Sequence, residues 1–203
     1  REKWDCYTDA PPRLAPTYDK GRLYFGADDG IVYCLEAATG RLLWQVQAAP
    51  SKRKAIGQGR LMSVWPVRSG VLVQDGVAYF AVGLFPSEGI CLGAVRAADG
   101  KPVWGDSVCR KVDADWLSPQ GYLLAAEDKL IVPSGRICPT VFDRKTGELL
   151  FAADSGHGLH GGAYATVAGE MLLNGSQSIG AYHLVKAVQD KYGKAKRGRQ
   201  AFD

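Results

Sequence analysis

Short apolar runs separated by polar, glycine-bearing turns recur along this chain of 203 residues. The stretch GRLYFGADDGIVYCLEAATGRLLW, residues 21–44, contains two such runs, a turn between them, and then A-A-T-G and a Trp. The same order returns at 76–104 and at 128–151, where Phe151 takes the place of the Trp. Runs that are rich in β-branched and aromatic residues and bounded by turn residues predict strands. The pattern therefore predicts a repeated β unit.

The aromatic residue that ends each unit gives the repeat its period. Trp4, Trp44, Trp104 and Phe151 follow one another at intervals of 40, 60 and 47 residues. Because Trp4 stands at the equivalent place, residues 1–10 are interpreted as the outer strand of an earlier unit. Repeats of about 20–50 residues are typical of propellers and solenoids.

Each unit is predicted to contain four short strands joined by D-G, A-T-G, A-D-G and K-T-G turns. The strands are 13–19, 21–27, 31–37 and 41–47; then 69–75, 77–83, 90–97 and 101–107; then 121–128, 129–135, 140–144 and 148–154; a further pair is 163–169 and 170–175. A small antiparallel sheet with two apolar faces must stack between neighbours. The predicted fold is therefore all-β, a β-propeller of four-stranded antiparallel blades.

The predicted organisation is about three full blades plus partial ones. The turn glycines Gly40, Gly100 and Gly147 are expected to adopt positive φ. The predicted boundaries are an outer strand at 1–10, blades at 11–50, 60–108 and 117–155, a partial blade at 160–181, and a basic C-terminal segment at 182–203.

The repeat resembles a known family. VYCLEAATGRLLW (32–44), AVRAADGKPVW (94–104) and VFDRKTGELLF (141–151) are similar to the repeat of PQQ-binding-like, quinoprotein-type β-propeller proteins. Longer pieces resemble large bacterial proteins of this class, of the kind frequent in planctomycetes, and the resemblance covers about residues 4–175. Complete propellers of this type have seven or eight blades. We therefore expect a segment of a longer polypeptide, with ring assembly from several copies or an open arc as the alternatives.

Charge adds one feature to this picture. The formal net charge of +4 is concentrated at 186–199, where six Lys or Arg residues face one Asp. The segment is interpreted as a solvated tail, since no interleaved aromatic residues indicate base stacking. Nucleic acid is therefore not a predicted partner, and no apolar run is long enough to predict a transmembrane segment.

The five cysteines, Cys6, Cys34, Cys91, Cys109 and Cys138, form no C-x-x-C and no adjacent pair, so no zinc or thioredoxin signature is present. Cys91 and Cys138 stand nine residues before the turn glycines of their units. They should point the same way on successive blades, which argues against a bond between them. The odd count leaves at least one thiol free, and buried free thiols are expected.

The histidines and paired carboxylates are the candidate reactive groups. His157 and His160, with Asp154 nearby, could bind a metal, but no third ligand has a characteristic spacing, and a strand-connecting turn is the plainer interpretation. His183 stands alone. Two carboxylate pairs are present, and neither has a matched acid or base partner. They are Asp28 with Asp29 in a hairpin turn, and Asp113 with Asp115 in a connection that could reach the end of a central channel.

Two tryptophans and two arginines are the candidates for ligand contact. Trp65 and Trp116 precede innermost strands and could line the channel, and Arg68 and Arg136 lie near strand ends. The family resemblance implies that a quinoprotein dehydrogenase would hold PQQ and calcium in that channel, with a disulfide of adjacent cysteines. No Cys-Cys pair occurs, so we assign no catalytic, cofactor-binding or metal-binding residue, and no cofactor is evident.

The function expected from these observations is a non-catalytic scaffold for protein or ligand interaction, since the repetition is structural and no reactive constellation accompanies it. Two alternatives stay open. One is a part of a PQQ-dependent quinoprotein dehydrogenase whose cofactor site lies outside this chain, and the other is a carbohydrate- or cell-surface-binding module. The partners would be other proteins or the remaining blades of the same polypeptide, and an oligomer is possible. Family resemblance implies a periplasmic or extracellular location.

Overall fold

The computed structural model describes residues 3–57, 59–113, 116–135, 137–152, 162–169, 171–175 and 179–183. The chain divides into two compact units, residues 1–115 and residues 116–203. The described regular structure is almost entirely antiparallel β-sheet, with one short 3₁₀ helix at Pro86–Glu88. None of the described segments is a helix that is long and apolar enough to cross a membrane.

The strands of the first unit are β1 (Thr17–Asp19), β2 (Arg22–Gly26), β3 (Ile31–Glu36), β4 (Leu42–Gln47), β5 (Lys54–Gly57), β6 (Arg60–Ser63), β7 (Ser69–Gly70), β8 (Leu72–Gln74), β9 (Val77–Val82), β10 (Ile90–Arg96) and β11 (Arg110–Val112). Those of the second unit are β12 (Gly121–Tyr122), β13 (Leu124–Ala126), β14 (Lys129–Val132), β15 (Thr140–Asp143), β16 (Leu149–Phe151), β17 (Tyr164–Ala168), β18 (Met171–Gly175) and β19 (Ile179–His183). Strands β1–β4 form blade one, β8–β11 blade two and β13–β16 blade three, each a four-stranded sheet in chain order. The predicted four-stranded antiparallel blades are confirmed.

Both faces of blade one are apolar and buried. Successive residues of a strand point to opposite faces of its sheet. In β3, Val32 and Cys34 therefore pack in one apolar cluster, while Tyr33 and Leu35 pack in a second one on the other face. A sheet of this kind is stable only when something covers each face.

The turn between the third and fourth strands has the same hydrogen bonds in all three blades. The amide N–H of Gly40, Gly100 and Gly147 donates to the carbonyl four residues earlier, at 2.8 Å each. Their φ angles are 73°, 74° and 72°, which glycine adopts without a Cβ clash. The predicted positive φ is confirmed.

The anchor aromatics occupy equivalent places. In β4 the sheet register shifts by one residue at Leu43, directly before Trp44, and in β16 it shifts at Leu150, directly before Phe151. A bulge of this kind sharpens the local strand twist. The repeat therefore extends from sequence to backbone geometry.

Blade one and blade two each contain the same kind of Tyr–Trp ring pair. Tyr24 and Trp44 have ring centroids 5.9 Å apart with an interplanar angle of 54°, and Tyr79 and Trp104 have values of 5.8 Å and 46°. Trp44 and Trp104 are both buried. Tilted aromatic pairs at this distance are favourable beyond the area that they bury.

Blades one and two pack face to face, and Trp44 bridges them. The indole Nε1 of Trp44 donates to the carbonyl of Ala97 at 3.1 Å, and that oxygen also accepts from Tyr24 Oη at 3.2 Å and Arg22 Nη1 at 2.9 Å. A Cβ on Gly100 would lie 3.1 Å from the Trp44 ring. The apolar residues of this interface are Tyr24, Val32, Cys34 and Trp44 of blade one with Ala78, Phe80, Val82, Cys91 and Val95 of blade two.

Trp4 docks on blade one in the same manner. Its Nε1 donates to the carbonyl of Ala37 at 3.1 Å, and a Cβ on Gly40 would lie 2.5 Å from its ring. The equivalence of Trp4 with the other anchor aromatics is therefore confirmed. Residues 3–10 nevertheless form no strand, so an outer strand there is a wrong prediction for the described residues.

The fourth strand of blade two differs from the prediction. Within 101–107 only Pro102 bridges to the sheet, opposite Val95, and the fourth strand is instead β11, in which Arg110 opposes Leu92. Proline has no amide hydrogen for a ladder, and Gly105 adopts a turn φ of 78°. The amide of Val103 still donates to the carbonyl of Ala94 in β10 at 2.8 Å. Residues 104–109 then leave the sheet as an excursion before β11 begins.

A disulfide between Cys91 and Cys109 fastens this excursion to β10, with the two Cα atoms 5.3 Å apart. The expectation of free thiols is wrong for these two cysteines, because the excursion returns Cys109 to a strand 18 residues away in sequence. Cys34 and Cys138 are buried and lie outside this disulfide, as expected, and Cys6 is an exposed thiol.

The second unit repeats the arrangement. Ile131, Val141 and Phe151 of blade three pack against Leu172 of β18, so Phe151 fills the place of the anchor Trp. Strands β17–β19 form a three-stranded antiparallel sheet, which confirms the strands predicted near 163–175 and adds β19. The boundaries predicted for the blades stay a prediction.

Candidate functional site

Two adjacent carboxylates are buried in the turn between β2 and β3, at residues 27–30. Asp28 exposes 1% of its surface and Asp29 8%. The predicted position in a hairpin turn is confirmed for both. Burying a carboxylate is costly unless it is paired or hydrogen-bonded, so the partners of these groups decide what the turn can do.

The turn joins three separate parts of the first unit through its backbone. The amide of Asp28 donates to the carbonyl of Pro11 at 3.1 Å, the amide of Ser63 donates to the carbonyl of Asp28 at 2.8 Å, and the amide of Val67 donates to the carbonyl of Ala27 at 3.0 Å. The segment before β1 and the segment after β6 therefore meet at this turn.

Two arginines from those same segments bind the Asp28 carboxylate. Arg13 Nε donates to Oδ2 at 2.7 Å, while Arg68 donates from Nε to Oδ1 at 2.9 Å and from Nη2 to Oδ2 at 3.2 Å. The Arg68 contact is bidentate, a geometry in which guanidinium and carboxylate fit best. The cluster carries two positive charges against one negative charge, and Asp28 has both oxygens engaged.

Asp29 is bound by uncharged groups instead. Its Oδ2 accepts from Tyr33 Oη at 2.7 Å and its Oδ1 accepts from the amide of Ile31 at 2.9 Å. Burial raises the pKa of the Asp29 carboxyl, and the two hydrogen bonds oppose that rise only in part. Burial and the hydrogen bond to Asp29 also raise the pKa of Tyr33, whose ring stacks on Phe25 at 5.2 Å.

Trp65 is part of a second packed contact at the start of blade two. Its Nε1 donates to the carbonyl of Glu88 at 2.7 Å, and the guanidinium of Arg53 lies 5.1 Å above its ring. Arg53 also pairs with the carboxylate of Glu88. The indole is therefore held between a cation and a loop.

A family model that matches the sequence shows to which family the chain belongs. The model is described as outer membrane protein assembly factor BamB, and it matches residues 1–114, more than half of the chain. The chain belongs to this family of PQQ-like β-propeller repeat proteins. The resemblance of the repeat is thereby confirmed. No curated protein matches the sequence significantly.

Solved structures of PQQ-like and other propellers share the fold. BamB from Moraxella catarrhalis superposes with a TM-score of 0.62 at 20% identity, covering 89% of this chain and 51% of that one. The computationally designed Ika4 protein gives 0.57 at 13% identity, covering 88% of this chain and 94% of that one. The quinohemoprotein alcohol dehydrogenase ADHIIG from Pseudomonas putida HK5 gives 0.57 at 13%, covering 85% and 32%. The chain thus spans about half the length of that BamB, and identities this low support the fold alone.

Asp28 and Trp65, which could be considered as contacts for the calcium and PQQ of a quinoprotein, are engaged by other side chains in this structure. Calcium takes about six to eight oxygen ligands, and the described parts contain no group of three or more His, Cys, Asp or Glu side chains that could hold a metal ion. The oxygens of Asp28 already accept from Arg13 and Arg68. One face of Trp65 is covered by Arg53, so it does not offer an open stacking surface there.

Of the remaining predicted residues, Asp113, Trp116 and His183 lie in the described parts of the chain. Asp113 is exposed, and Trp116 is half-buried, with an indole N–H that has no hydrogen-bond partner among the described residues. His183 ends β19. Positions outside the described residues are Asp115, Arg136, Asp154, His157, His160 and the basic segment from residue 184 onward.

Arg13 and Tyr33, which bind the two buried carboxylates, are site residues that the sequence reasoning missed. A signal for Arg13 exists, since it lies four residues before β1 just as Arg68 lies four residues before β8. Both arginines bind the same carboxylate, so the shared spacing indicates where Arg13 stands but not which residue it binds. For Tyr33, the alternation of β3 indicates a face but gives no sign of the contact with Asp29.

Proposed function

We propose that this chain is a non-catalytic scaffold segment of a PQQ-like β-propeller that binds other proteins. The observation that carries the proposal is the use of Asp28. Both oxygens of its carboxylate are bound by Arg13 and Arg68, which come from two different connecting segments. A buried carboxylate whose two oxygens are both bound by guanidinium groups serves as a fixed brace. Those oxygens are already engaged by Arg13 and Arg68.

The coupling between blades supports the same role. The carbonyl of Ala97 in blade two accepts three side-chain hydrogen bonds from blade one, so the two blades present their loops at fixed relative positions. Rigid presentation lowers the ordering cost of binding a partner. The family to which the chain belongs is described by an assembly factor, a name that fits a scaffold better than an enzyme.

We further propose a periplasmic or extracellular location. The Cys91–Cys109 disulfide supports it, because disulfides persist in oxidising compartments. The partners would be other proteins or further blades of the same polypeptide, and no cofactor is required.

A two-part experiment tests the scaffold role. The purified protein is assayed for dye-linked dehydrogenase activity with added PQQ and calcium, and benzoylphenylalanine is placed at the exposed positions Tyr18 and Tyr164 for photo-crosslinking in cells. We expect no dye reduction above a protein-free control, and a discrete protein adduct that requires light and the substituted residue. Dye reduction that depends on both PQQ and calcium would contradict the proposal. Its loss in Asp29→Asn would then point to the buried carboxylates.

A further inference from the structure

The region between blades one and two carries an unbalanced positive charge. No Asp or Glu occurs between Glu36 and Asp75, whereas six Lys or Arg residues do. Three of the six are neutralised, namely Arg41 by Glu36, Arg53 by Glu88 and Arg68 by Asp28. The other three are exposed and form no ion pair within the described residues: Lys52, Lys54 and Arg60.

Two of these cations, Lys54 and Arg60, belong to the same hairpin as an exposed apolar pair. Strands β5 and β6 form a two-stranded sheet of their own, in which Ile56 lies directly opposite Leu61. Ile56 exposes 83% of its surface and Leu61 58%. Lys54, two residues before Ile56, lies on the same face of the hairpin. We call Lys52, Lys54, Ile56, Arg60 and Leu61 the basic hairpin surface.

A neighbouring loop adds a third large apolar side chain. Arg53, at the start of the hairpin, pairs with Glu88, and Trp65, just after it, donates to the carbonyl of the same residue. The loop that contains Glu88 is thereby held to the base of the hairpin. In that loop Phe85 is 52% exposed.

We propose that the basic hairpin surface, together with Phe85, docks on the anionic surface of a lipid bilayer. Apolar side chains that enter the boundary between headgroups and acyl chains, combined with Lys and Arg that face anionic headgroups, are the two terms of interfacial membrane binding. The inference goes beyond the scaffold function and does not rest on it.

A bilayer fits these residues better than an acidic protein. Ile56 and Leu61 project from a two-stranded hairpin, and a bilayer accepts projecting apolar groups without a complementary pocket. Lys52 and Lys54 are flexible point charges, which suit a diffuse anionic surface more than a defined carboxylate pair. Only one arginine, Arg60, offers the planar fork that such a pair favours.

The first test measures binding of the whole chain to vesicles. Vesicles of phosphatidylcholine with phosphatidylglycerol are compared with vesicles of phosphatidylcholine alone by co-sedimentation. We expect binding to the anionic vesicles only, and a loss of roughly a hundredfold in the triple variant Lys52→Gln, Lys54→Gln, Arg60→Gln, since each cation contributes about fivefold near an anionic surface. The matched control is the triple variant Lys191→Gln, Lys194→Gln, Lys196→Gln, which removes the same charge from the basic C-terminal segment and should lose less.

The second test separates insertion from charge attraction. The double variant Ile56→Ser, Leu61→Ser keeps every cation and should weaken binding by about tenfold, whereas Tyr18→Ser, which alters an exposed aromatic of blade one, should not. In Ile56→Trp, brominated lipids should quench the added fluorescence, and in Tyr164→Trp they should not. Thermal unfolding of each variant should match the wild type, because these side chains are exposed.

Three results would overturn the proposal. The first is equal binding of the wild type and the hairpin variants. The second is complete loss of binding in the C-terminal control. The third has two parts: brominated lipids do not quench Ile56→Trp, and polyglutamate binds the wild type but not the hairpin triple variant. That result would assign the surface to an acidic protein.

Discussion

Blade one and blade two follow the same sequence pattern, yet they end differently. In blade one the fourth strand β4 continues for six residues beside β3. In blade two a single bridge at Pro102 is followed by the excursion at 104–109, and β11 then adds three residues to the sheet. The Tyr–Trp ring pair is nevertheless the same in both. The turn and its anchor aromatic therefore define a blade, whereas the outer edge is free to vary.

The difference also shows how the variable edge is stabilised. An excursion of the outer strand loses ladder hydrogen bonds, and its chain has more conformational freedom to lose on folding. In blade two the Cys91–Cys109 disulfide restricts that freedom. Blade one, with its uninterrupted β4, contains the free thiol Cys34 in its apolar interface instead.

Removing the shared anchor should have the largest effect. Trp44→Ala deletes a buried indole and its hydrogen bond to Ala97, and we expect the free energy of unfolding to fall by about 3–5 kcal/mol. The measurement is urea unfolding followed by tryptophan fluorescence and circular dichroism. The matched control is Trp4→Ala, which removes a half-buried indole with an equivalent bond and should cost less. Equal costs would contradict the expectation that Trp44, which bridges two blades, contributes more than Trp4.

Opening the disulfide should come next. The double variant Cys91→Ala, Cys109→Ala removes a cross-link between residues 18 apart in sequence, worth about 3 kcal/mol in the chain-entropy account. A reductant should lower the urea midpoint of the wild type and leave that of the double variant unchanged. If the reductant has no effect on the wild type, the disulfide is not what holds the excursion.

Sequence patterns were sufficient to predict the repeat, but they were not sufficient to predict the outer edge of blade two. The alternation of apolar residues in β2, β3, β9 and β10 and the glycine turns follow from local chemistry, so the blades were predictable. The excursion was not predictable, because the composition of KPVW predicts a strand. Whether those residues form one depends on where the chain returns to the sheet, at Arg110. The pairing of Cys91 with Cys109 depends on the same long-range event.

The site shows a similar limit. The turn at Asp28 and Asp29 was predictable from Asp-Asp-Gly, but burial and partner choice arise from segments distant in the chain. Asp28 meets Arg13 and Arg68, which are 15 and 40 residues away in sequence. Asp29 meets Tyr33 instead. Two adjacent identical residues thus acquire different chemistry from tertiary contacts alone.

Breaking the Asp28 cluster should have an intermediate effect. Asp28→Asn leaves Arg13 and Arg68 without their counter-charge, and we expect a loss of about 1–3 kcal/mol, less than for a fully buried pair because both arginines reach solvent. Chemical denaturation provides the measurement. Asp99→Asn, which removes the exposed partner of Arg96, is the matched control and should cause little change. A smaller loss for Asp28 than for Asp99 would contradict the bracing role.

The smallest effect concerns pH and sharpens the contrast between the two carboxylates. Because burial raises the folded-state pKa of Asp29 above its ordinary value of 3.8, its contribution to stability is fully present below that value and is lost as the pH rises through the folded pKa. The stability of the wild type relative to Asp29→Asn should therefore fall across this window and then stay level. Unfolding free energies at successive pH values measure it, and a relative stability that rises with pH would be contrary to the prediction.

Native-state hydrogen exchange of the Trp44→Ala variant tests the coupling of neighbouring blades most directly. If blades one and two are stable only by packing on each other, amide protection should fall together in β2–β3 and in β9–β10, because Trp44 bridges both sheets through Ala97. Loss of protection confined to β4, with β9 and β10 as protected as in the wild type, would contradict the account.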